Sequence, residues 1–151
     1  MSFSEELEKA GSVFIDTAPI IYYIEAHPVY GPVVKQLVTA FSDGRVAAYS
    51  SVITLAEVLP APLRAKNEKL AKMFADFLKH GRNLKLVPIS AEIAEEAGRL
   101  RARYSAVKAF DAMQISAALN VKAGLFITND RKLKNVKEIS VLVLEDHAVS
   151  S

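Results

Sequence analysis

The chain has 151 residues, of which 51% are hydrophobic and 24% charged, a composition that suits a globular domain and not a disordered or fibrous chain. It has no cysteine, which excludes disulfides, thiolate metal sites and cysteine nucleophiles together and leaves oxygen, or His27, His80 and His147, to hold any metal. A net charge of +2 is too small to mark a nucleic-acid binder by its overall field; no apolar run is long enough to span a bilayer, and the acidic opening MSFSEELEKAG lacks the layout of a signal peptide, so a cytoplasmic protein is expected.

In chain order, residues 1 to about 10 are expected to form a peripheral N-terminal segment of a single domain covering 1–151. Short β-type runs follow at 12–15, 46–49, 84–87, 125–128 and 141–144. They are apolar on both faces, as in a parallel sheet covered by helices on either side. Between them, 17–25, 32–41, 51–59, 67–80, 91–104 and 109–122 repeat apolar residues at intervals of three and four and are predicted helices. Ser50 and Ser51 suit a helix N-terminus, Gly81 follows a helix ended by His80, and Gly124 is expected to end the helix before the fourth strand. Pro60 and Pro62 should break or kink the third helix, with PAPLRAK (60–66) as a flexible corner. The alternation specifies an α/β fold, although the two helical patterns before the fourth strand cannot be oriented. Tyr22, Tyr23, Met73, Phe74, Phe77 and Leu78 fall at helical spacing and are assigned to packing, while His27 and His80 are read as turn and cap residues.

Open α/β sheets bind ligands outside the carboxyl ends of their strands. Four acids fall at such places: Asp16 ends the first strand, Glu57 lies early in the helix after the second, Asp130 follows the fourth, and Asp111 opens a helix leading back to the far end of that strand. Each interrupts apolar sequence, so partial burial is expected. Two carboxylates about 5 Å apart repel by roughly 3 kcal/mol at an effective dielectric near 20. No lysine or arginine adjoins Asp16 or Glu57, so helix N-termini, protonation or a divalent cation must compensate, and a hard cation suits an all-oxygen site. Taken singly, an acid placed as Asp16 is more often an N-cap, one placed as Asp111 a helix-dipole partner and one placed as Asp130 a turn residue.

The segments FIDTAPIIYYIE (14–25), SSVITLAEVL (50–59), AFDAMQISAALN (109–120) and LFITND (125–130) occur in that order. As an ordered set, covering almost the whole chain, they resemble the PIN domain and, more narrowly, the VapC-like toxins of prokaryotic toxin–antitoxin pairs. The resemblance implies a five-stranded parallel sheet of order 3-2-1-4-5, with Asp16 and Asp130 as neighbours. It also implies an acidic catalytic site of Asp16, Glu57, Asp111 and Asp130 holding Mg²⁺ or Mn²⁺. Asp16, Asp111 and Asp130 would make the closest metal contacts and Glu57 would bind or orient water. Thr17 and Thr128 would orient ligands or phosphate, and Asn129 would shape the turn. The implied activity is RNA phosphodiester cleavage to 3′-hydroxyl and 5′-phosphate ends, and the implied partners are a second copy of the chain and an antitoxin. Ala18 and Lys108 depart from the family's usual polar residue and apolar-Pro approach.

Cations placed to meet RNA are Arg99, Arg101, Arg103 and Lys108 before the third acid and Arg131 and Lys132 after the fourth. A second group, Arg64, Lys66, Lys69 and Lys72, surrounds the proline corner and is assigned to solvent or a partner groove. A PIN-like binding module without catalysis is the competing class. A haloacid-dehalogenase-like nucleophile is disfavoured by Ala18, where a second aspartate is expected, and a phosphoreceiver by the absence of an acidic neighbour to Asp16.

Overall fold

The computed structural model describes residues 1–148. All five apolar runs are strands: β1 (Ser12–Ile15), β2 (Ala47–Ser51), β3 (Leu84–Val87), β4 (Leu125–Thr128) and β5 (Val141–Val143). They form one parallel sheet of order β3-β2-β1-β4-β5, the order expected. β1 is central, with Phe14 opposite Phe126 and Ile15 opposite Ile127 on β4. Successive side chains of a strand point to opposite faces. Val13 and Ile15 accordingly join one core, with Ile127 and Leu142. Phe14 joins another across the sheet, where its ring stacks on Phe126 at 5.7 Å.

Helices α1 (Phe3–Ala10), α2 (Thr17–Ile24), α3 (Gly31–Ser42), α4 (Val52–Val58) and α6 (Glu68–His80) cover the first face, and α7 (Ala91–Arg103) and α8 (Ala109–Asn120) the second. The pair that could not be oriented from sequence packs together there: the Ser116 hydroxyl on α8 donates to the Ile93 carbonyl on α7 at 2.7 Å.

Several expectations are corrected. Residues 3–10 are not peripheral: α1 is capped by the Ser2 side chain and buries Phe3 and Leu7 in the core. The proline corner is a short helix, α5 (Pro60–Arg64), because Pro60 and Pro62 fit the first turn, where no amide donor is needed. Gly124 does not cap α8, which ends at Asn120 with Lys122 at φ 58. A Cβ on Gly124 would lie 2.4 Å from the Ala10 carbonyl oxygen, so glycine is needed where α1 crosses the start of β4. The last strand stops at Val143, and Leu144–His147 forms a 3₁₀ turn that places the His147 ring 5.2 Å from that of Phe3.

Candidate active site

The carboxyl edge of β1 and β4 is built around Asp16. Its amide donates to the Ile127 carbonyl at 2.9 Å, continuing the ladder, and its Oδ1 caps α2 by accepting from the Thr17 amide at 2.8 Å. The Thr128 hydroxyl donates to Oδ2 at 2.8 Å and accepts from the Asp130 amide at 3.1 Å. Asp130 Oδ1 accepts from the Lys132 amide and caps the 3₁₀ turn Arg131–Asn135. Asn129 ties the exit loop down, its Oδ1 accepting from the Glu145 amide and its Nδ2 donating to the Tyr22 hydroxyl. The hydroxyl, amide and carboxylate that end LFITND therefore each hold a different element.

A second network enters from β2. Ser51 caps α4 by accepting from the Ile53 amide, and its hydroxyl bonds Gln114 Oε1 of α8. Gln114 Nε2 donates to Thr54 Oγ1 at 2.6 Å and to Thr17 Oγ1 at 3.4 Å, and the two threonine hydroxyls are 2.9 Å apart. Thr17 in turn donates to Glu57 Oε1 at 2.7 Å. One residue therefore serves two acids: the Thr17 amide holds Asp16 and its hydroxyl holds Glu57. Gln114 escaped the sequence reading because its place in AFDAMQISAALN does not show which neighbouring helix its side chain meets. The available signal was Ser51, Thr54 and Glu57, three hydrogen-bonding side chains at three-residue intervals on one helical stripe.

Burial among the four acids is graded. Asp16 is 8% exposed, Asp111 is half-buried in the first turn of α8, and Glu57 and Asp130 are exposed, contrary to the apolar setting inferred for Glu57 from its sequence neighbours. Burial pushes the Asp16 carboxyl up to about 6 against the hydrogen bonds from Thr17 and Thr128, and the charges of Asp111 and Glu57 push it the same way. Burial also raises Asp111, together with the charges of Asp130 and Glu57, and Lys108 partly opposes this. The four groups thus share one field, and none forms an ion pair with a lysine or arginine among the described residues. As the side chains stand, no three of them close on a common point in metal-binding fashion among the described residues. The donor set is all carboxylate and carries uncompensated negative charge, which fits a hard divalent cation.

The basic residues divide. Arg99 pairs with Glu96 at 3.4 Å, and Arg131 is clamped by Asp146 at 2.6 Å and Glu145 at 3.4 Å. Arg103 pairs with Glu96 and Glu138 but also lines, with Tyr104, Lys108 and Lys132, a cleft of about 380 Å³ that reaches Asp111 and Asp130. Lys108 and Lys132 make no ion pair among the described residues, so the cations facing the acids are these two.

The sequence pattern of the PIN domain matches residues 13–139. The chain belongs to the PIN-domain family. Solved structures share the fold at low identity. VapBC2 from Rickettsia felis, bound to a DNA fragment from its promoter, is 21% identical with a TM-score of 0.68, covering 87% of this chain and 98% of that one. DNA-bound VapBC from Salmonella typhimurium is 19% identical with a TM-score of 0.71, covering 88% and 98%. VapC20 from Mycobacterium tuberculosis, a toxin that cleaves the sarcin–ricin loop, is 16% identical with a TM-score of 0.63, covering 76% and 86%. No curated protein matches this PIN-domain chain in sequence. No helix among the described residues is long and apolar enough to cross a membrane.

Proposed function

We propose that this PIN-domain protein is a Mg²⁺- or Mn²⁺-dependent endoribonuclease and the toxin of a type II toxin–antitoxin pair. The observation that carries the reading is the buried Asp16 carboxylate, raised by its burial and by Asp111 and Glu57, with no cationic side chain paired to it among the described residues. Asp16, Asp111 and Asp130 would hold the cation, and exposed Glu57, anchored through one oxygen by Thr17, would bind or orient water. A divalent ion bound there lowers the pKa of water and neutralises charge on a phosphoryl transition state. Thr128 and the Thr17 amide fix both Asp16 oxygens, so the buried carboxylate is oriented before a ligand arrives. Lys108 and Lys132 line the adjoining cleft, where they favour a phosphate backbone. Hydrolysis adds water across the P–O3′ bond, leaving a 3′-hydroxyl and a 5′-phosphate.

An antitoxin is proposed on the likeness to the VapBC structures, and a homodimer on the family resemblance alone. Co-purification with the product of a neighbouring reading frame tests the first, and light scattering of the isolated chain the second.

The decisive experiment is cleavage of labelled RNA by purified protein with and without Mn²⁺. The Asp16→Asn variant is expected to lose about 100-fold or more in rate while keeping its circular dichroism spectrum. Mn²⁺ at about 100 times its dissociation constant should stabilise the wild type by about 2.7 kcal/mol and leave the variant unmoved. Equal cleavage by the two proteins defeats the proposal. A PIN-like binding module without catalysis is the second reading, favoured by carboxylates that do not close on one point. It requires that no cleavage occur, the acids serving as caps or holding a structural ion.

A further inference from the structure

Gln114 is wholly buried on α8, between Ser51 and Thr54 of the β2–α4 junction, and touches none of the four acids through a hydrogen bond. Every group in its network has one assignable direction. Ser51 is fully buried and already accepts from the Ile53 amide, and its other hydrogen-bond partner is Gln114, so its hydroxyl hydrogen goes to Gln114 Oε1. The amide is thereby fixed with Nε2 towards Thr54 and Thr17, where it can only donate. Thr54, also fully buried, accepts from Gln114 and passes its own hydrogen to Thr17. Thr17 then has one hydrogen left to give, and it goes to Glu57 Oε1 at 2.7 Å. A backbone amide at the start of α4 thus sets the sense of five side chains ending at a carboxylate. Glu57 Oε2 accepts no hydrogen bond among the described residues and is the oxygen left for a ligand.

We propose that Gln114 is a positioning residue: by orienting the Thr54 and Thr17 hydroxyls it makes Thr17 a permanent donor to Glu57 and fixes the Glu57 carboxylate at the edge of the acid cluster. This rests on the nuclease reading only for its catalytic consequence. The orientation itself is a property of the fold.

Two isosteric substitutions separate direction from packing. Gln114→Met keeps the shape and removes both hydrogen-bonding groups. Gln114→Glu keeps the acceptor towards Ser51, but when ionised it presents an acceptor to Thr54, which reverses the chain and takes from Thr17 the donor that commits it to Glu57. When protonated, the introduced carboxyl again donates to Thr54 and restores the native sense. No titratable side chain hydrogen-bonds at position 114, whose partners are Ser51, Thr54 and Thr17.

The primary readout is the ¹³C chemical shift of the Glu57 carboxyl carbon in the full-length protein at pH 8, with Thr17→Val as the reference for a lost donor. Gln114→Met should move it in the same direction as Thr17→Val, as should Gln114→Glu with its carboxyl ionised. A resonance unmoved by both Gln114 variants, while Thr17→Val shifts it, overturns the proposal. The second readout is Mn²⁺ affinity from paramagnetic line broadening, expected to weaken about tenfold in Gln114→Met, within the range for residues that orient metal ligands. If the wild type binds no Mn²⁺, the metal reading falls and the carbon shifts still decide the role of Gln114.

Discussion

At Asp16 the groups that orient the carboxylate also bury it at a cost. A carboxyl raised from 3.8 to about 6 binds more protons in the folded state than in the unfolded one between those values, so stability falls as pH rises through that window. The shift of about two units corresponds to roughly 3 kcal/mol of destabilisation at neutral pH, absent below pH 4. Asp16→Asn is therefore expected to be more stable than the wild type at pH 8, with the difference shrinking towards pH 4 in urea titrations. A variant that is less stable at pH 8 would show that the hydrogen bonds from Thr17 and Thr128 outweigh the burial. The place of this residue at the sheet edge was legible in the sequence because it directly follows an apolar strand, although the same position also makes it the cap of α2. Gln114 was not, since its burial depends on α8 lying against α4, a contact between segments 60 residues apart. Glu57 was misjudged because the flanking Leu55 and Leu59 only partly turn inward, leaving a carboxylate on the same helix open to solvent.

At the scale of elements, the strands and six of the helices follow from period and apolar runs alone, whereas α1 does not. It offers only two buried side chains, Phe3 and Leu7, too few to show a repeat. Its importance lies in packing. Leu7→Ala should cost about 2–5 kcal/mol, as for other fully buried leucines. Gly124→Ala places a methyl group against the Ala10 carbonyl and should cost about 1–3 kcal/mol by overpacking. Denaturant midpoints measure both, and a neutral Gly124→Ala would mean that α1 can slide along β4 without loss. The proline corner shows the reverse error. Pro60 does end α4, but with Pro62 it starts a new helix, because the N–H a proline lacks is one that a first helical turn leaves unpaired in any case.

Across the whole molecule, strand order places the acids and side-chain pairing decides which cations face them. The order could be anticipated from a resemblance spanning the chain. The fate of each arginine could not, because Arg131 and Asp146 meet only once β5 lies beside β4. Lys108→Ala and Lys132→Ala are each expected to weaken RNA binding and to lower the slope of log affinity against log salt by about one. Arg131→Ala should change that slope little, its charge being already matched by Asp146 and Glu145. Fluorescence anisotropy over a salt series distinguishes them, and a full unit lost at Arg131 would mean that the clamp opens for a nucleic-acid strand.

The contact between Phe3 and His147, with His147 Nε2 also 3.1 Å from Glu6 Oε2, brings the beginning of the described chain against its end. Joining the two through a short glycine-serine bridge and opening the backbone at the exposed Asp43–Gly44 bend should give a circular permutant that folds with the same acids at the same sheet edge. In that rearranged chain α1 would become an internal helix, anchored from both directions and no longer subject to fraying from a free end.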